Sequence, residues 1–94
     1  MNPRKNQQNN LILYRKRMGF TQRQVARLLG HRDTSMVSHY ERGRSLPPLM
    51  VALGFEIIFR IPVAFLFPTL YDELKAQIRT KEESLAGVKQ RSLF

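Results

Sequence analysis

The sequence predicts an all-α domain of five short helices followed by a C-terminal helical extension. Three observations lead there. Between residues 11 and 67 the apolar side chains recur at separations of three and four. Glycine or proline punctuates that pattern at short intervals, and no alternating apolar/polar run of strand length occurs.

Residues 1–9 are polar and asparagine-rich, with Arg4 and Lys5, and read as a flexible basic arm. Leu11, Ile12, Tyr14 and Met18 outline a first helix that Gly19 stops. Thr21 opens the second as N-cap, with Gln24 three residues on to complete a capping box. Val25, Leu28 and Leu29 are expected on its inner face, Ala26 is small enough for a close helix crossing, and Gly30 ends it. His31, Arg32 and Asp33 form a polar turn, with Asp33 the expected N-cap of the third helix. There Val37 and Tyr40 point inward, leaving Thr34, Ser35, Ser38, His39 and Arg42 outside, and Gly43 terminates the helix. Pro47 and Pro48 forbid its continuation. Residues 49–59 make a fourth helix, apolar nearly all round and so expected at the centre of the core, with Gly54 marking a close contact. Pro62 introduces a short fifth helix over residues 63–67, which Pro68 is expected to end.

Beyond it, Tyr71, Leu74, Ile78, Leu85 and Val88 repeat at alternating threes and fours, with Lys81 in the one polar slot. Fewer than three heptads are present. The stripe has two readings: a helix folded back on its own domain through Tyr71 and Leu74, or a contact with a second protein. Residues 90–94 are expected to fray.

Composition narrows the chemistry. Without cysteine there is neither a disulfide framework nor a thiolate metal site, and His31 and His39 lack carboxylates at ligand spacing. No nucleophile, base and orienting group are arranged together, so neither catalysis nor a metal or other cofactor is expected. The most apolar window, residues 53–67, contains Glu56, Arg60 and Pro62 and is shorter than the ~20 residues of a spanning helix. It reads as buried core, with no membrane role, and the polar N-terminal residues lack a secretory signal pattern. The net charge of +9 is uneven: residues 1–44 carry ten Lys/Arg against two Asp/Glu, residues 45–94 six against five. A basic half of this kind serves either a polyanionic partner or a solubilising surface.

Two short helices joined by a glycine-containing turn, the second polar outside, constitute a helix-turn-helix. The residues Arg15, Gly19-Phe20-Thr21-Gln22, Val25-Ala26, Leu29-Gly30, Val37-Ser38, Tyr40-Glu41-Arg42-Gly43 and Pro47 closely resemble the Cro/repressor (XRE) family. The likeness continues through Leu53, Ile57-Ile58-Phe59, Ile61-Pro62-Val63 and Leu66-Phe67, so it covers residues 10–68. One departure is the step from Gly30 to Val37, a residue longer than the family's usual spacing, with the extra residue placed within His31–Asp33.

The resemblance implies a five-helix lambda-repressor-like helix-turn-helix domain over residues 10–68, with residues 69–94 as an extension for dimer or partner contact. It implies a cytoplasmic, nucleoid-associated regulator that binds double-stranded DNA, as a homodimeric repressor of phage or mobile-element type. The alternative is the antitoxin of a toxin–antitoxin pair, which would also repress its own operon; a third reading is a helical adaptor that touches protein alone. Residues 34–42 would enter the major groove, with Thr34, Ser35, Ser38 and His39 facing base edges. Gln22 would contact a phosphate at the second helix's start. Arg32 would reach a base or a phosphate, and Arg42 and Arg44 would bind phosphate or the third helix's own negative end. Of Arg23 and Arg27, one is expected at the DNA backbone and one in solvent. Arg15 and Glu41 take the place of the family's partly buried ion pair, a structural role.

Overall fold

The computed structural model describes residues 8–89, with side chains to residue 86. Residues 1–7 of the basic arm, with Arg4 and Lys5, the tail over residues 90–94 and the Val88 side chain lie outside the described residues. Six helices follow in order: α1 Leu11–Arg17, α2 Gln22–Leu28, α3 Ser35–Glu41, α4 Leu49–Phe59, α5 Val63–Leu66 and α6 Pro68–Lys89. No strand occurs among the described residues.

Short-range chemistry sets the first three helix ends. Gly19, Gly30 and Gly43 all adopt positive φ, at 78°, 82° and 74°. At each, the glycine N–H and the next residue's N–H turn back onto the closing carbonyls; Gly30 reaches the Arg27 carbonyl at 3.0 Å and His31 that of Ala26 at 2.8 Å. This is the Schellman closure, which a Cβ-bearing residue adopts only at a cost. At the start of α2 the capping box is formed in full: the Gln24 N–H donates to Thr21 Oγ1, and the Thr21 N–H donates to Gln24 Oε1.

The core is built from Leu11, Val25, Ala26, Val37, Tyr40, Phe55, Phe59, Leu66 and Phe67. Phe55 meets Tyr40 edge-on and stacks on Phe59, joining α3 to α4. Glu56 of α4 accepts the Val63 N–H at 3.1 Å, satisfying a donor that the first turn of α5 leaves free. Gly54 permits the close contact expected of it, since a Cβ there would lie 2.6 Å from Leu29 Cδ2.

Several expectations are corrected. Leu28 is exposed: it sits about 100° of helix rotation from Leu29, outside the arc of Val25 and Ala26. α4 is not buried all round; Phe55 and Phe59 face the core, whereas Leu49, Met50 and Ile57 are 74%, 84% and 74% exposed. Asp33 is not the cap residue of α3. Thr34 holds that position, and Asp33 accepts the Ser35 N–H from one residue further out at 2.9 Å. Pro68 opens α6, because Phe67 leaves the helical region at φ −127° and ψ 62° and a proline then fits the first turn. Asn9, counted with the arm, is tied to the fold: its amide donates to the Tyr40 carbonyl while its Oδ1 accepts the Leu11 N–H. Asn10 is held in turn by the Phe65 and Leu66 carbonyls of α5. α6 does not fold back through Tyr71 and Leu74, which are 48% and 47% exposed; Leu70 packs against the core instead.

Candidate nucleic-acid interface

The angle between α2 and α3 decides what α3 presents. Ala26 lets the helices cross closely, and Val25, Val37 and Tyr40 fill the space between them and the rest of the core. A buried polar knot then fixes the far end of α3. Glu41, its last residue, is 8% exposed and pairs with Arg15 of α1. Arg15 also donates to the Phe20 carbonyl at 3.0 Å, and the Gln22 amide donates to Glu41 Oε1 at 2.9 Å. One carboxylate thus ties α1, the start of α2 and the end of α3 together.

Opposite that buried side lies the polar face. At about 100° of rotation per residue, Ser35, Ser38, His39 and Arg42 share an arc of about 100°, with Val37, Tyr40 and Glu41 on the reverse. Ser35 and Arg42 are exposed, and Ser38 and His39 half-buried. Thr34 is half-buried at the N-cap and makes no cap hydrogen bond through its side chain. Arg44 is exposed just past Gly43, so two guanidinium groups leave the C-terminal end of α3. Arg32 is exposed in the turn.

Gln22 differs from its expected single role. One of its two amide protons is donated to Glu41, which leaves the other for an outside acceptor. Met36 was missed from sequence; it flanks the polar arc and is exposed, where a thioether chain suits a thymine methyl. Asp33 beside α3 titrates below the usual carboxylate range, chiefly because it accepts hydrogen bonds from the Ser35 backbone and side chain, with His31 adding a favourable charge interaction. Among the described residues no cluster of His, Asp or Glu is suited to a metal ion, and no helix is long and apolar enough to cross a membrane.

A compact helical domain that holds a short polar helix outward, with arginines at its end, has the form of a duplex-DNA reader. A family model described as Helix-turn-helix matches residues 11–66, more than half of the chain. The chain belongs to this XRE-type helix-turn-helix family, a DNA-binding family of transcriptional regulators that is not typically enzymatic. No curated protein and no solved structure matches it significantly.

Proposed function

We propose that the protein is a transcriptional repressor of phage or mobile-element type that binds a palindromic site on double-stranded DNA as a homodimer. The observation that carries this reading is the contiguous polar arc of α3, held outward by the Arg15–Glu41–Gln22 knot. Residues 34–42 enter the major groove; Thr34, Ser35, Ser38 and His39 face base edges, while Gln22, Arg42 and Arg44 hold phosphates on either side. Arg32 extends the contact from the turn. Its place of action is the cytoplasm, on nucleoid DNA.

A second reading, an antitoxin that also represses its operon, is favoured by α6. Along that helix Ile78 and Leu85 are 50% and 67% exposed, an apolar stripe suited to another protein. Size-exclusion chromatography of the protein made alone and beside its neighbouring gene product separates a homodimer from a toxin complex.

Binding-site selection tests the DNA assignment. Ser38→Ala and His39→Ala are expected to change the preferred bases, because a base contact carries ~1–3 kcal/mol of discrimination. Gln22→Ala and Arg42→Ala should weaken all sequences to a similar degree. An unchanged consensus in both recognition-helix variants would refute the placement of α3.

A further inference from the structure

Beside the recognition face, α2 and the turn that follows it enclose a cleft of about 430 Å³. Arg23 and Arg27 line it from α2, one helical turn apart, with His31, Arg32, Asp33 and Thr34 opposite. Three arginines and one carboxylate therefore line the cleft, and that carboxylate already accepts the Ser35 N–H. Among the described residues no ion pair or side-chain hydrogen bond engages Arg23, Arg27 or Arg32. His31 Nδ1 is buried without a partner.

We infer that this cleft is a phosphate-binding site, separate from the base-reading arc of α3. Three arginines without an ion-pair partner, lining one cleft with an imidazole and a hydroxyl, match an acceptor that offers several charged oxygens, which a phosphate does and a carboxylate does less well. The cleft lies against the polar turn His31–Asp33, which lines it together with Thr34. A backbone phosphodiester and a free phosphate share this chemistry. The first source rests on the proposed DNA reading, because Arg32 and Thr34 border both cleft and recognition surface; the second stands without it.

The test uses the full chain and the double variant Arg23→Gln/Arg27→Gln, whose substitutions are exposed and should leave the thermal midpoint unchanged. In one arm, inorganic phosphate is titrated against chloride at matched ionic strength, with NMR of the arginine side chains and the His31 ring. In the other, duplexes of the selected site carry single neutral methylphosphonates at successive positions. If the occupant is DNA, one position per half-site weakens the wild type about tenfold and leaves the double variant unaffected. If it is free phosphate, millimolar phosphate shifts the Arg23, Arg27 and His31 signals, and the variant loses that response. Absence of both effects overturns the inference. Should the chain bind no duplex at all, the proposed function fails while the phosphate titration still decides the cleft.

Discussion

Glu41 is the residue on which most of the geometry converges. Its carboxylate is buried and faces Arg15 and Gln22, so three elements depend on one charge being matched. Removing a single partner strands the other in low dielectric. Arg15→Ala and Glu41→Ala are each expected to cost ~3–5 kcal/mol in urea unfolding. Replacing both together with apolar residues of similar volume, Arg15→Met with Glu41→Leu, should recover most of that loss. A double variant as unstable as the sum of the singles would show that the pair is not coupled. Asp33 is the other residue with its own signature. Its depressed pKa means that its stabilising contribution is present above the ordinary carboxylate value and is lost as pH falls through the lower folded value. An NMR pH titration of the Ser35 amide should accordingly show a midpoint below the ordinary aspartate value of about 3.9.

At the scale of elements, the contact between α2 and α4 is set by Gly54. A methyl group there would press on Leu29 Cδ2 at 2.6 Å, while alanine would gain ~1 kcal/mol of helix propensity over glycine. Overpacking costs ~1–3 kcal/mol where the neighbour is fixed, but Leu29 Cδ2 is the far end of a half-buried side chain that can turn aside, so Gly54→Ala should change stability by less than about 1 kcal/mol. Leu29→Val should then be less costly in the alanine background than in the wild type, a coupling that a double-mutant cycle reads directly. How far the elements were legible follows from the range of the forces that set them. The ends at Gly19, Gly30 and Gly43 and the Thr21–Gln24 box are decided within a few residues, and the sequence displays them. The faces of α4 are not, because Leu49, Met50, Phe55 and Phe59 are alike in hydrophobicity and only packing chooses among them. The α5–α6 junction was misjudged because Pro68 is equally compatible with ending one helix and opening the next. The polar arc of α3 was readable from its period, but Gln22's bond to Glu41 and the cleft at Arg23 and Arg27 depend on side chains brought together by the fold.

The described residues extend over 52 × 33 × 22 Å, and α6 runs out from the core. α6 has 22 residues, about 33 Å at 1.5 Å per residue, and Leu70 near its start packs on the core. Most helical stability in proteins comes from packing an apolar face, and α6 has little of its own domain to pack against. Tyr71, Leu74, Ile78 and Leu85 lie exposed along one stripe, so pairing with a second copy would bury them and stiffen the helix. Such pairing would set two recognition helices about one DNA turn, ~34 Å, apart. The salt dependence of binding measures it. If each protomer neutralises ~4–5 phosphates, the dimer's log–log slope should be about −7 to −9. Ile78→Glu places a charge in the middle of the stripe without touching the core. The variant should keep its thermal midpoint at low protein concentration, sediment as a monomer, and bind a half-site with about half that slope. If it still sediments as a dimer, the contact lies elsewhere, and the exposed α4 face of Leu49, Met50 and Ile57 becomes the surface to alter next.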